Sequence, residues 1–360
     1  MELYFKEDWA SAKEILSGWW NGKINNRWAL GLVSPRRTPL LCDPVPAAPE
    51  NYRERWLDYK NLNTRKESVF ASHAFKGAVF PENTAYLGPG SLSIFLGADP
   101  DFQKETVWQN PAYHITPDKV DRLVFDRNGF YWNWTKAALS HIHERAQGRF
   151  IATMPDLIEG LDTLSELFGT NNLLMYMMDF PDDLLRLLDQ LDDFYFDAYD
   201  ELAEIIKMKD GSVPFMAFNV WAPGRCAKIQ CDFSAMISPD MFDAFVLPRL
   251  KKQCARLDYT VYHLDGPSAI AHLDSVLSIP ELNAIQWAPG AGNAPASDRT
   301  WWDKVWKKVY AAGKSAYMHD VPAEQIEAFV KEFGQAGTQI ISWVPSEDDS
   351  DRMMDESLNW

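Results

Sequence analysis

The sequence lacks the features that mark several common classes of protein. Four cysteines in 360 residues are too few for a disulfide-stabilised scaffold. No apolar run approaches the roughly eighteen residues that a membrane-spanning helix needs. The N-terminal stretch carries early acidic residues and no apolar core segment, which does not fit a signal peptide. We therefore expect a cytoplasmic protein without a membrane partner.

Basic charge is also scarce. The 35 Lys and Arg residues face 51 Asp and Glu residues, and the resulting net charge of −16 repels phosphate backbones, so we expect no nucleic-acid partner. The hydrophobic fraction of 46% is too high for a disordered chain and sufficient for one large domain over residues 1–360. A small molecule is the expected ligand, and the sequence leaves open whether the chain forms a homodimer.

The common nucleotide and protease motifs are missing. There is no G-x-x-x-x-G-K-[ST] and no H-E-x-x-H. Gly290 and Gly292 are followed by Pro295 where a dinucleotide fingerprint would need a third glycine. What the chain has instead is polar residues after short apolar runs, with 15 tryptophans spread along it.

Eight short β-type runs alternate with helical patterns. They cover residues 28–33, 77–80, 150–154, 213–219, 259–263, 284–287, 315–318 and 338–343. Such an alternation predicts an α/β fold with a parallel sheet, and the count predicts a (β/α)8 TIM-type barrel. An open doubly wound sheet is the competing topology, but no Gly-rich first turn is present. Residues 83–148 are too long for one crossover and are predicted to form an insertion after strand two that covers the barrel mouth.

Helices are predicted where apolar residues recur every three or four positions. The segments are 184–206, 239–254 after the N-cap Ser238, 323–333 before Gly334, and a last helix after Ser346. Tryptophans of the insertion, among them Trp134, are available to roof a pocket.

The strongest candidate site lies at the end of the fifth run. His263 and Asp265 are two residues apart, so in an extended chain their side chains point to the same side. An imidazole beside a carboxylate serves acid–base chemistry, or the two bind a divalent metal. The alternative is structural, with Asp265 capping the helix at Pro267 and His263 satisfied in the core.

Other strand ends supply further candidates. Glu82 is a candidate catalytic residue and a third metal ligand, although Pro-Glu-Asn also fits a simple turn. Arg36 or Arg37 would hold an anionic group unless solvated, and Trp287 is either a substrate platform or a packing residue. The substrate-binding candidates are Arg36, Asn83, Asn219, Trp221, Gln286, Trp287, His319 and Trp343.

Three segments carry a resemblance to a known family. They read NRWALGLVSPRR, PENTAYLGPGSLSIFLGADP and ISPDMFDAFVLPRLKK, the last followed by DYTVYHLDGPSAIAHLDSVLSIPELNAIQWAPGAG. Together they resemble the uroporphyrinogen decarboxylase superfamily over nearly the whole chain. The resemblance implies a (β/α)8 barrel, and either a tetrapyrrole decarboxylase or a methyltransferase that moves methyl groups to or from corrinoid proteins or thiols.

The two branches of that family imply different residues. The decarboxylases carry an Arg-rich motif after strand one and a late His, whereas this chain has Ser-Pro-Arg-Arg and no His in 338–345. The thiol-activating enzymes bind zinc through His-x-Cys and a later Cys. Here the pair is His263-x-Asp265, and no cysteine follows Cys254, so only an oxygen and nitrogen site remains.

The expectation is a methyltransferase or demethylase component that passes a methyl group to a partner corrinoid protein. A divalent metal such as zinc would be bound by His263, Asp265 and Glu82. One alternative is a decarboxylase without a cofactor, in which Arg36 or Arg37 holds a carboxylate. Another is a non-catalytic barrel that binds a small ligand.

Overall fold

A computed structural model describes residues 2–360 and shows a mixed α/β fold in which many helices surround a largely parallel sheet. The strands are β1 Ala29–Pro35, β2 His73–Gly77, β3 Glu82–Asn83, β4 Asp99–Phe102, β5 Val107–Asn110, β6 Ile151–Ala152, β7 Cys226–Gln230, β8 Tyr259–Asp265, β9 Ala284–Ala288, β10 Ser315–Met318 and β11 Thr338–Trp343. The helices are α1 Trp9–Trp20, α2 Tyr52–Leu57, α3 Tyr59–Ser72, α4 Ser91–Phe95, α5 Phe130–Ala146, α6 Gly160–Phe168, α7 Thr170–Asp179, α8 Pro181–Ile206, α9 Pro239–Phe245, α10 Leu247–Arg256, α11 Gly266–Ala269, α12 Leu273–Leu277, α13 Lys307–Ala311, α14 Ala323–Phe333 and α15 Glu347–Glu356.

The main sheet has seven strands in the order β2-β1-β11-β10-β9-β8-β7. All neighbours in it are parallel except β1 and β2, which pair antiparallel. Two small sheets complete the strands, a parallel pair of β3 with β6 and an antiparallel pair of β4 with β5. Because β7 to β11 follow one another in space as in sequence, their carboxyl ends lie along one edge.

The later half of the predicted alternation is confirmed. The runs at 259–263, 284–287, 315–318 and 338–343 coincide with β8 to β11, and the first run coincides with β1. Strands β1, β9, β10 and β11 are buried at nearly every position on both faces, and their sequences accordingly contain no charged residue. The predicted run at 150–154 shortens to β6, with Met154 in an isolated bridge to Phe215.

The strand predicted at 77–80 is wrong. The chain instead forms β2 up to Gly77, which takes a left-handed φ of 66° and ends the strand. A side chain at this position would meet the carbonyl oxygen of Leu30, so glycine is required for the close approach. The next residue is joined to β1 by the bond from Ala78 N to the Leu30 carbonyl, 2.8 Å long.

The strand predicted at 213–219 is also wrong. Only isolated bridges occur at Val213 and Phe215, and a short turn follows at Ala217–Asn219. In this turn Phe218 and Asn219 both have positive φ, near 60°, which no strand allows. The strand in this part of the chain is β7. Its burial is not apparent from its sequence, CAKIQ, because that sequence includes a lysine and a glutamine.

A closed eight-stranded barrel is not detected within residues 2–360, where the paired strands fall into one sheet of seven and two of two. The parallel α/β class is therefore confirmed, and closure of the barrel stays a prediction. In the same described part of the chain, no helix combines the length and apolar character that crossing a lipid bilayer requires.

The helical predictions are confirmed, with one break. Helix α8 buries its leucine stripe and begins at Pro181 with two acidic residues in the first turn, where the helix dipole favours them. Helix α14 ends at Gly334, and α15 is capped by Ser346, which accepts a bond from Asp349 N of 3.1 Å. The segment 239–254 is split into α9 and α10 because Pro248 has no N–H for the carbonyl four residues earlier.

Candidate functional site

The carboxyl ends of β8 and β9 bring two predicted residues together. His263 and Gln286 are directly paired in the register of the two strands. The ring Nδ1 of His263 is hydrogen-bonded to Oε1 of Gln286. Because an amide oxygen only accepts, this bond assigns the proton of the neutral ring to Nδ1 and leaves the lone pair on Nε2.

A third strand end completes a metal-capable cluster. Asp232 begins the short helical turn Asp232–Met236 after β7, and its Oδ1 lies 3.9 Å from Nε2 of His263. Asp232, His263 and Asp265 each offer a ligand atom, and these atoms lie within 4.8 Å of one another. Glu82 is not part of this group of ligand atoms in residues 2–360. The structure therefore brings together His263 and Asp265 as a pair and adds Asp232.

The electrostatics of this cluster favour a cation. Burial, together with the nearby charge of Lys228, lowers the pKa of His263 to about 4, so the ring is neutral at pH 7. Burial and then the carboxylate of Asp162 raise the pKa of Asp232 to about 7. The same two causes raise the pKa of Asp265. Carboxylates that repel one another beside a neutral imidazole are the arrangement that a divalent ion stabilises.

Asp162, on α6, fixes the turn that carries Asp232. Its Oδ2 accepts bonds from Asp232 N and from Nε2 of Gln230, both 2.9 Å long, and its Oδ1 accepts a 2.8 Å bond from Phe233 N. Behind this turn, Nζ of Lys228 lies 2.8 Å from Oδ1 of Asp156. The cluster is thus supported by a second layer of charged and amide groups.

Glu82 and Asn83 lie instead in a cavity of about 300 Å³. Asn83 Nδ2 donates a 2.8 Å bond to Oδ1 of Asn63 on α3. Burial raises the pKa of Glu82 to about 8, although Lys66, Thr153 and Asn219 act to lower it. Its Oε2 is buried and has no hydrogen-bond partner among residues 2–360. Glu82 therefore holds a proton at pH 7, and the residue forms part of the cavity wall.

The turn at Ala217–Asn219 adjoins both the cavity and the cluster. Met216 lines the cavity, and the ring centroid of Phe218 lies 4.8 Å from that of His263. Asn219 holds the turn, since it accepts a 3.0 Å bond from Phe80 N and donates a 2.8 Å bond to the Phe80 carbonyl. The strained φ of Phe218 marks a place where tertiary contacts override local preference.

Arg36, predicted to hold an anion, is engaged within the protein. Its Nε donates a 2.8 Å bond to the His73 carbonyl, and Nη1 lies 2.9 Å from Oε1 of Glu7. Its side chain is only 7% exposed. Arg37 forms ion pairs with Asp348 and Asp351 on α15. Neither guanidinium lines the cavity that contains Glu82.

The three predicted platform tryptophans do not share one pocket. Trp221 is buried and packs edge-on against Trp9, and its Nε1 donates to Ser212 Oγ at 3.1 Å. Trp287 is buried against Trp301. Trp343 is 55% exposed. The first two belong to the core, where an indole contributes packing rather than a ligand surface.

His319 lies beside the turn at Ala217–Asn219. Its ring is 6.1 Å from Phe218, and its Nδ1 lies 3.8 Å from Oδ1 of Asp320. Its Nε2 is buried without a partner in the described chain. Asp320 has a φ of 53°, so it forms a tight turn after β10.

Several residues of the site were missed by sequence reasoning. Asp232 was missed because β7 was not recognised. The signal was the run CAKIQ followed directly by Cys231 and Asp232. The predicted insertion over 83–148 contributes Tyr86, Trp134 and Ile142 to the cavity, whereas Trp56 and Tyr59 come from α2 and α3. Nothing in the sequence marks Trp56 and Tyr59 as cavity residues, because both precede β3, the strand that carries Glu82.

Of the comparisons with known proteins, only the one with solved structures gives a match. No protein-family model matches the chain, and no curated protein matches it significantly. Among solved structures, a methyltransferase from Methanosarcina mazei matches with a TM-score of 0.57 over 97% of this chain and 98% of that chain, at 12% sequence identity. At that identity the likeness establishes that the two chains share a fold.

Proposed function

We propose that the protein is a barrel methyltransferase of the kind found in the uroporphyrinogen decarboxylase superfamily, which moves a methyl group from a small substrate to a corrinoid on a partner protein. The observation that carries the proposal is the cluster of Asp232, His263 and Asp265 at the ends of adjacent parallel strands. It occurs in a fold shared with a methyltransferase.

Backbone bonds outside the regular sheets support a closed barrel. Ile151 N donates to the Pro81 carbonyl and Met154 N to the Pro214 carbonyl, at 3.0 and 2.8 Å. Val213 N then donates to the Gly224 carbonyl at 2.9 Å, next to the start of β7. These bonds connect β3, β6 and β7 in the order that a (β/α)8 barrel requires.

The donor set of the cluster fits a divalent ion such as zinc. Two carboxylates and one imidazole are the hard and borderline ligands that zinc accepts, and three protein ligands leave a position for substrate. The orientation of His263 by Gln286 is typical of a metal-binding imidazole, whose other ring nitrogen donates to a neighbouring group. A bound zinc ion would act as a Lewis acid on the heteroatom that carries the methyl group.

The remaining residues have roles that their own geometry supports. Gln286 fixes the tautomer and the orientation of His263. Asp162 holds the turn of Asp232 through three hydrogen bonds. Glu82 keeps a proton near neutral pH in a cavity of substrate size, so it is able to donate a hydrogen bond to a bound substrate.

The decarboxylase alternative depends on Arg36 or Arg37, and both guanidinium groups are bonded to carboxylates of the protein itself. The non-catalytic alternative does not require three clustered ligand atoms. Zinc binding would therefore contradict the cofactor-free decarboxylase, and methyl transfer would contradict the non-catalytic barrel.

The first experiment measures metal binding. Purified protein is stripped with a chelator and titrated with zinc chloride in competition with a chromogenic chelator. Wild type is expected to bind one zinc ion, and Asp232→Asn, His263→Ala and Asp265→Asn to lose more than the roughly tenfold affinity that an outer partner contributes. The exposed Glu332→Gln variant is the matched control and is expected to behave as wild type. Equal affinities in all five proteins would contradict the metal site.

The second experiment measures methyl transfer. Free cobalamin reduced to its cob(I) form is the acceptor, and formation of methylcobalamin is followed by absorbance with a panel of methylated ethers, amines and thioethers. His263→Ala is expected to abolish transfer, whereas His114→Ala, at an exposed histidine, leaves it unchanged. Transfer that survives in His263→Ala would refute the assigned role.

A further inference from the structure

The cavity that contains Glu82 is lined largely by aromatic residues, unlike the cluster of Asp232, His263 and Asp265. Its volume is about 300 Å³, and aromatic side chains from three helices and one loop form much of its wall: Trp56, Tyr59, Tyr86 and Trp134. The rings form two pairs, Trp56 with Tyr86 at 5.9 Å and Tyr59 with Trp134 at 6.1 Å between centroids. Such a wall accepts a flat apolar group.

The indole N–H groups of the aromatic wall are already used. Trp56 Nε1 donates a 2.7 Å bond to the Gln103 carbonyl, and Trp134 Nε1 donates a 2.9 Å bond to the Leu57 carbonyl. The indoles therefore present apolar surface to the cavity. Recognition of a polar group falls to the few other lining residues that carry charge or hydrogen-bonding atoms.

Lys66 and Glu82 are the only ionisable groups with a charged form at neutral or acidic pH among the lining residues. Lys66, on α3, has an exposed side chain and no ion pair with any carboxylate of residues 2–360. Because the pKa of Glu82 is raised to about 8, that carboxyl group is neutral and Lys66 supplies the net charge of the cavity. A cation would meet aromatic faces here but also the unpaired ammonium group of Lys66, which repels it.

From this geometry we propose that the cavity binds a planar aromatic carboxylate, with its ring between the aromatic pairs, its carboxylate on Lys66 and a hydrogen bond from Glu82. As the binding site of the methyl donor, this assignment rests on the proposed function. As a carboxylate site it is measurable without metal or methyl acceptor. Glu82 lines the cavity, and its Oε2 is buried without a hydrogen-bond partner in the described chain, which is rare for a carboxyl oxygen.

The test uses benzoate as the probe and isothermal titration calorimetry in the presence of a metal chelator. Benzoate is expected to bind wild type, while the uncharged benzamide and tetramethylammonium bind at least about fivefold more weakly. Lys66→Met is expected to weaken benzoate binding by roughly fivefold, since the ion pair with the exposed ammonium group is lost. Lys66→Arg should retain most of the affinity, and Glu82→Gln should retain it because the amide remains a neutral donor.

Lys60→Met is the matched control, because Lys60 is exposed on the same helix and does not line the cavity. It should bind benzoate as wild type does, and the Lys60 and Lys66 variants should keep the wild-type melting temperature. The proposal is overturned if benzoate fails to bind wild type, if Lys66→Met binds as tightly as Lys60→Met, or if tetramethylammonium or benzamide binds as well as benzoate.

The failures of the two proposals are distinguishable. If the protein binds no zinc but binds benzoate in a way that depends on Lys66, the proposed function is refuted and the carboxylate site is supported. Zinc binding without benzoate binding would refute the carboxylate site alone.

Discussion

The Nδ1 atom of His263 is hydrogen-bonded to the side-chain oxygen of Gln286, the residue directly opposite it on the neighbouring parallel strand. The relationship is set by strand register, because paired residues of adjacent strands project their side chains to the same face. It turns Nε2 of His263 toward Asp232 and determines which nitrogen is free to bind a ligand.

Gln286→Leu is expected to lower zinc affinity by roughly 10- to 100-fold, because the imidazole loses the partner that fixes its tautomer. Gln286→Glu should restore binding, since a carboxylate accepts from Nδ1–H. Zinc competition titrations measure both effects. Gln339→Leu replaces another buried glutamine of the same sheet and is the control. A Gln286→Leu protein with wild-type zinc affinity would show that Gln286 does not position His263.

Glu82 is expected to make folding stability depend on pH. Its pKa is about 8 in the folded protein against 4.5 as the ordinary value, so between these limits the folded state keeps a proton that the unfolded state has released. Stability contributed by this group is therefore present below about pH 4.5 and falls as pH rises toward 8. Urea unfolding of wild type and Glu82→Gln should diverge over this range by an amount on the order of 3 kcal/mol. Parallel stability curves for the two proteins would contradict the raised pKa.

Asn219 is expected to stabilise the turn between the cavity and the cluster in two ways. Asn219→Ala removes both bonds to Phe80 and puts alanine, which tolerates a left-handed φ less well than asparagine, at a φ of 60°; together these changes should cost about 2–4 kcal/mol. Asn219→Gly removes the same bonds but tolerates the backbone, so it should be about 1 kcal/mol more stable than the alanine variant. Chemical denaturation of the two variants measures the difference, and an alanine variant as stable as the glycine variant would argue against strain at this position.

Arg36 is expected to contribute to stability and little to ligand binding. Arg36→Met leaves the carbonyl of His73 and the carboxylate of Glu7 without their donor, which should cost about 1–3 kcal/mol. Arg37→Met, at an exposed arginine, should change stability by less than about 1 kcal/mol. Thermal unfolding gives the comparison. Loss of benzoate binding in Arg36→Met, with stability unchanged, would instead support the anion-binding role that its sequence position predicts.

Much of the fold was predictable because its signals are local. Helix α14 is bounded by Pro322 and Gly334, and α15 by the cap Ser346, all within a few residues of the element they limit. The runs that form β8 to β11 are also recognisable locally, because each is a short apolar-rich segment between helical patterns. The failed strands at 77–80 and 213–219 have comparable apolar runs, but Gly77 and the left-handed Phe218 end them through contacts with distant residues.

For the candidate site too, the predictable features depend on local signals and the others on contacts between distant residues. That His263 and Asp265 share one side of a strand end follows from the sequence, because alternation along an extended chain requires no knowledge of the rest of the molecule. That Asp232 joins them, that Trp221 and Trp287 are buried in the core, and that Glu82 lies in an aromatic cavity could be learned only from the folded protein. These contacts depend on strand register and on how helices distant in sequence pack over the strand ends.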